Sequence, residues 1–297
     1  MVSYLRGRMA GVRYSINVPN FGELADPRVV ADLAVAAEEA GWDGLFVWDH
    51  VHYRRYRDRP FADPWIVLAA AGMVTTRLRL GPLITPVARR RPVKLAREIT
   101  TLDVLTGGRL VLGVGLGGPA EDEFGSFGEP TDLKMLAERL DEGLEAVMLL
   151  LSGEPVSYHG RHVTLDDVRC LPTPVQRPRV PVWVAGRWPT RAPFRRAVRW
   201  DGAVPLFPGY AGQPPPSVAD VRELAAFLAE RRAADGRAGE PFDLVVGGRT
   251  GGDRAREIVA ELAEAGATWW DERMPFDDTL DRADGYRKRI EQGPPRV

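Results

Sequence analysis

Cysteine is almost missing: Cys170 is the only thiol among 297 residues. The chain can therefore close no internal disulfide, and it offers no pair of thiols for a Cys-rich zinc site or a CxxC redox centre. A reducing compartment fits best, and a cytoplasmic location is expected. Lysine is nearly as scarce, with Lys94, Lys134 and Lys288 set against 37 arginines. Schiff-base chemistry needs a lysine at a strand end, but Lys94 and Lys134 fall in helical patterns and Lys288 lies near the end of the chain. There is no excess of charge of either sign. The 40 basic and 41 acidic side chains leave a formal charge of −1, so no basic field is present to hold nucleic acid or an anionic membrane. No stretch approaches the roughly 18 unbroken apolar residues of a membrane helix. The first 18 residues carry arginines at 6, 8 and 13 and no apolar signal core, so neither a leader nor an anchor is expected. A G-x-S-x-G elbow and a Ser/His/Asp set are also missing. With 44% hydrophobic and 27% charged residues, the composition is that of a chain able to bury a large core.

Short β-rich runs alternate with longer helical patterns throughout. Strand 12–18 (VRYSINV) precedes a helix opened by Asp26-Pro27 and closed by Gly41, an N-cap with proline at the first helical position. Strand 44–48 (GLFVW) precedes a helix over 64–74, strand 77–85 (RLRLGPLIT) one over 92–105, and strand 109–113 (RLVLG) a glycine-rich loop and a helix over 132–151. Residues 157–165 (SYHGRHVTL) read as a small hairpin turning at Gly160, inserted before the fifth strand, 181–185 (PVWVA). Its helix covers 190–199. Three further pairs follow: 203–206 with 217–234, 242–246 with 254–265, and 268–271 with 279–290. Eight such pairs indicate an α/β chain forming a (β/α)8 TIM barrel as one domain over 1–297. An open doubly wound sheet, the alternative, commonly stops at five or six strands. In a barrel the chemistry belongs at the C-terminal ends of the strands.

The second strand runs into Trp48-Asp49-His50-Val51-His52, which puts a carboxylate and two histidines at a strand mouth. His50 is the candidate acid or base. An H-x-H pair is also half of a zinc site, but the other histidines, His159 and His162, lie in the hairpin, so no metal is expected. Gly113-Val114-Gly115-Leu116-Gly117-Gly118 has the spacing of a dinucleotide fingerprint yet follows three βα units instead of opening the first. It reads as a loop whose bare backbone lets a flat group approach, or as a tight turn. Gly186-Arg187-Trp188-Pro189-Thr190 and Gly247-Gly248-Arg249-Thr250 are two phosphate-capable loops. The Tyr53–Arg59 cluster is either a solvated loop or a cover for a polar or acidic substrate.

The stretches AEEAGWDGLFVWDH (37–50), TTRLRLGPLITPVARRRP (75–92), TTLDVLTGGRLVLGVGLGG (100–118), VPVWVAGRWP (180–189) and AGATWWDE (265–272) together resemble the bacterial-luciferase-like family of flavin- and deazaflavin-dependent oxidoreductases. The resemblance implies a luciferase-like barrel holding reduced FMN or coenzyme F420 across the strand mouths, with His50 near the reactive edge of the cofactor and Asp49 beside it. It also implies a bulge in the third strand with a non-prolyl cis peptide, aligned with Pro82–Leu83. Backbone at Leu83 and Ile84 would support the ring, Thr85 would bond it, and Gly115, Gly117, Gly186, Arg187 and Thr190 would line it. Sugar-phosphate dehydrogenases of the family carry a glutamate where this chain has Gly118, which argues against that activity. The leading expectation is a monooxygenase using reduced FMN and oxygen on a small organic substrate, as a homodimer, with a separate reductase supplying the flavin. The alternatives are F420-dependent hydride transfer and a non-catalytic flavin-binding barrel.

Overall fold

Proline at the first helical position sets where three helices begin: α1 (Pro27–Glu39), α2 (Pro64–Val74) and α3 (Pro92–Leu105). Asp63 caps α2, its Oδ1 accepting from the amides of Trp65 and Ile66 at 2.8 and 3.3 Å. The computed structural model describes residues 11–209, 213–277 and 279–297. Residues 1–10, where no leader is expected, lie outside them. The chain divides into two units, a first made of residues up to 18, 36–46 and 181–297, and a second made of 19–35 and 47–180.

In the first unit, strands β1 (Arg13–Val18), β8 (Val182–Arg187), β9 (Gly202–Leu206), β10 (Asp243–Gly248) and β11 (Trp269–Glu272) run in the order β1-β11-β10-β9-β8. Every pairing is parallel, with Ser15 opposite Asp271, Val246 opposite Trp270, and Trp183 opposite Gly202. Helices follow the strands: α6 (Arg191–Ala197), α7 (Val218–Ala234), α8 (Ala255–Glu264) and α9 (Ala283–Glu291). Strand alternation puts every second side chain on one face. Phe46, Trp183 and Trp269 meet on that face with ring centroids 5.2 to 6.1 Å apart, a tilted and edge-on aromatic cluster of the kind that fills strand interiors.

The second unit carries strands β3 (Arg79–Pro82), β4 (Thr85–Pro86) and β5 (Leu112–Gly115) and helix α5 (Leu133–Leu151). Leu136, Leu140, Leu144, Val147 and Leu151 on α5 are buried, the i, i+4, i+8 stripe of an amphipathic helix. The third strand, expected as one run over 77–85, is divided, and its cis peptide is Leu83–Ile84, one bond beyond Pro82–Leu83. Between the two pieces Leu83 donates its amide to the Val47 carbonyl at 2.8 Å. The fourth strand begins later than its apolar run: Leu110 pairs with Leu80 only as an isolated bridge, and the ladder with β4 starts at Val114. β6 (Val156–His159) and β7 (Thr164–Val168) pair antiparallel, and His162 and Arg161 in the turn between them bond Glu138 on α5 at 3.0 and 2.9 Å. Among the described residues no helix is long and apolar enough to cross a membrane.

Candidate active site

Strand β2 (Gly44–Val47) delivers Trp48, Asp49 and His50 into the loop that follows it. A buried amide fixes the backbone there. Asn20 accepts from the His50 amide at 3.2 Å and donates to the carbonyls of His50 and Ala62, each at 2.7 Å. Further along, Tyr56 stacks on Phe21 at 4.6 Å, and Phe21 also touches Phe61 at 5.2 Å. Within the Tyr53–Arg59 cluster Tyr56 is buried and Arg54 reaches Asp122 through its amide at 2.8 Å and its Nε at 3.3 Å, while Arg55, Arg57 and Arg59 are exposed.

One turn of helix, α4 (Ala120–Glu123), follows the glycine loop and faces this segment. Glu123 is fully buried, with Oε1 lying 2.5 Å from His50 Nδ1 and Oε2 accepting from Arg89 Nη1. The Arg89 Nη2 donates to the carboxylate of Asp49 and, at 2.9 Å, to its carbonyl. On its other oxygen Asp49 accepts from Arg90 Nη2 at 2.7 Å and from the Thr85 hydroxyl. Two buried carboxylates and two arginines therefore form one connected network, with each charge paired and hydrogen-bonded, as a buried charge requires.

The network determines the state of the imidazole. Glu123, bound to a guanidinium on one oxygen, is an acceptor on the other, so the ring proton of His50 sits on Nδ1. Burial, reinforced by the Arg89 charge, pushes His50 down to about 4, with Asp49 and Asp122 acting in the opposite direction. His50 is consequently neutral at pH 7, and its Nε2, an acceptor, has no partner among the described residues. Tyr53 stacks on the ring at 5.0 Å and Trp48 meets it edge-on at 5.7 Å. Such a nitrogen is able to accept a proton.

The other residues singled out in the sequence fall in different places. Asp49 is next to His50 in sequence, but its side chain has no exposed surface and its oxygens serve Arg89, Arg90 and Thr85. The Thr85 hydroxyl proton, expected on the cofactor ring, is committed to Asp49 for the same reason. Gly115 ends β5, and Gly117 has φ +84° and no room for a side chain, since a Cβ there would lie 2.8 Å from Pro86. In the first unit Gly186 is demanded by packing: a Cβ there would lie 2.3 Å from Pro193 on α6. Arg187 ends β8, and Thr190 precedes α6 without capping it. The second phosphate-capable loop holds a protein carboxylate instead, because the Thr250 amide and hydroxyl donate to Glu272 at 2.7 and 2.6 Å. His52 lies against Phe127, and no group of three His, Cys, Asp or Glu among the described residues could hold a metal.

Sequence reading missed Glu123, Arg89, Arg90 and Asn20. Arg89 and Arg90 stand in the quoted 75–92 stretch, and Glu123 in the acidic run Ala120-Glu121-Asp122-Glu123, which reads as a solvated face until its burial is seen.

Residues 9–294 match the family model described as luciferase-like monooxygenase. The chain belongs to that family. It is 33% identical over 191 residues to an F420-dependent glucose-6-phosphate dehydrogenase of Intrasporangium calvum, a match covering 63% of this chain and 55% of the relative. It is 31% identical over 249 residues to an F420-dependent hydroxymycolic acid dehydrogenase of Mycobacterium tuberculosis, covering 79% of this chain and 62% of that one. The match thus spans a little over half the length of these relatives. Among solved structures, the coenzyme F420-dependent tetrahydromethanopterin reductase from Methanopyrus kandleri superposes with a TM-score of 0.74 at 18% identity, over 95% of this chain and 97% of that one. This likeness assigns the luciferase-like (β/α)8 fold class to the chain.

Proposed function

We propose that the chain is an oxidoreductase that moves a hydride between coenzyme F420 and an organic substrate, with His50 handling the accompanying proton. The observation that carries this reading is the buried imidazole of His50 with its Nδ1 2.5 Å from the Arg89-bound carboxylate of Glu123, a contact that favours a proton on Nδ1 and an accepting Nε2. The names of the curated relatives, F420-dependent dehydrogenases, favour the deazaflavin over the FMN expected from the sequence.

The residues of the second unit suit a flat ring. A Cβ at Gly118 would meet nothing within 4 Å, so bare backbone borders open space at the start of the segment that ends in Glu123. In this reading the backbone at Leu83 and Ile84 and the loop at Gly115 and Gly117 support the cofactor. When bound, the deazaflavin accepts or returns a hydride at a substrate carbon. His50 Nε2 takes the proton of a substrate hydroxyl as that carbon is oxidised, and returns it in the reverse direction. Glu123 keeps the ring in the tautomer that leaves Nε2 bare, Arg89 holds Glu123, and Asp49 holds Arg89. Tyr53 limits rotation of the imidazole.

Binding titrations of the stripped protein with oxidised and reduced F420 and FMN test the cofactor. F420 is expected to bind without any oxygen-dependent spectral change. An oxygen-dependent intermediate with reduced FMN would move the assignment to monooxygenation, and failure of both to bind would leave only the fold. His50→Ala is expected to retain cofactor binding and lose about 10²- to 10⁴-fold in turnover. Unchanged turnover would remove the role given to His50 and favour a non-catalytic binding protein.

A further inference from the structure

Strand β11 carries a second buried charge arrangement, wholly within the first unit. Asp271 is fully buried beneath three donors: Ser15 Oγ at 2.8 Å on one oxygen, and Asn17 Nδ2 at 3.1 Å and Arg273 Nε at 2.8 Å on the other. Ser15 and Asn17 alternate along β1 as Asp271 and Arg273 do beyond Trp269, so all four share the face occupied lower down by Phe46, Trp183 and Trp269. This is the C-terminal end of the strands.

The side chain of Arg273 is more than nine-tenths buried, with 8% exposed. It lies flat on the backbone of β10: a Cβ at Gly247 would fall 2.3 Å from its Cζ. Glycine at that position is what admits it. Of its five N–H groups, Nε is used by Asp271, and the two Nη groups donate to nothing among the described residues. A guanidinium fork with both Nη groups open matches the two oxygens of a carboxylate or phosphate. Asp271 does not compete for them. Its oxygens are held on the Nε side, and its charge fixes the orientation of the fork.

We infer that Arg273 is an anion-binding residue, taking a carboxylate or phosphate group of a bound small molecule on its two Nη groups. The inference does not depend on the role of His50. Radiolabelled succinate and inorganic phosphate, in equilibrium dialysis against the full chain, are the probes, with the Arg273 Nε–H signal followed by NMR. Saturable binding that shifts this signal is expected. Arg273→Gln should weaken it about tenfold or more, as loss of a charge-assisted pair implies, and Arg273→Lys less. Because Arg273→Gln leaves Asp271 buried and uncompensated, the paired variant Arg273→Gln/Asp271→Asn removes both charges and is expected to fold and to bind as weakly. Competition by FMN or F420 would identify the anion as the phosphate of the cofactor, and its absence would identify a separate acidic ligand. Either result retains the site. Binding of neither anion, or equal binding by the wild type and the paired variant, would overturn it.

Discussion

Glu123→Gln is expected to lower turnover about a hundredfold or more while leaving the fold intact. The substitution preserves shape but not polarity. Arg89 Nη1 demands an acceptor from residue 123, so the carboxamide must turn its oxygen to Arg89 and its NH2 toward His50 Nδ1. A ring nitrogen facing a donor cannot carry a proton, so the imidazole proton moves to Nε2. The base then becomes a donor, and the proton has nowhere to go. Tautomer reversal of this kind in a serine protease triad costs about 10⁴ in kcat. Cofactor affinity should change little, which separates this effect from loss of the site. A variant with wild-type turnover and unchanged binding would show that Glu123 does not set the state of His50.

The second large effect is on stability. Asp49→Ala removes the carboxylate shared by Arg89, Arg90 and Thr85. Arg89, with 8% of its side chain exposed, keeps Glu123 and the backbone carbonyl of residue 49, and Arg90 keeps Glu98 at 3.3 Å as its ion pair. Breaking a buried pair by removing one partner costs about 3 to 5 kcal/mol, because the remaining charge stays desolvated. For a chain of this size each kcal/mol is worth about 2 to 4 °C, so a fall in Tm of about 10 °C is expected by thermal unfolding. Asp49→Asn keeps one acceptor oxygen but turns an NH2 toward a guanidinium, so it should lose stability as well. An unchanged Tm in Asp49→Ala would contradict the assignment of Asp49 as the centre of the network.

Much of the fold is legible in the residues because the signals are local. Helix α2 announces itself through Asp63-Pro64, and α3 through a proline at its first position, and both end where expected. Two features are not local. The division of the third strand near Leu83 is expected only from the family resemblance, one bond early, and no local period marks it. Helix α4 is a single turn, too short for a period of 3.6 residues to register, and its charges suggest solvent. The site divides the same way. His50 is legible from its place at a strand end, since a barrel directs chemistry there. The partners that determine its protonation, Arg89 and Glu123, stand 39 and 73 residues further along the chain, and only the fold brings them together. Asp49 shows the converse: adjacency in sequence suggested shared chemistry, but successive residues diverge, and it is turned into the arginine network.

The state of the His50 imidazole is the measurement closest to the centre of this account. Nitrogen NMR of the 15N-histidine-labelled chain, with His50→Ala used to assign its signals, reads which nitrogen carries the proton and where the ring titrates. At pH 7 a protonated Nδ1 and a bare Nε2 are expected, with no second proton taken up until the pH falls to about 4. Below the ordinary histidine value of 6.5 the unfolded chain takes up a proton that the folded chain refuses, so this group weakens the fold as pH falls from about 6.5 toward 4 and has no effect above that range. A proton on Nε2, or titration at the ordinary value, would contradict the account, because the ring would then be neither held by Glu123 nor available as a base.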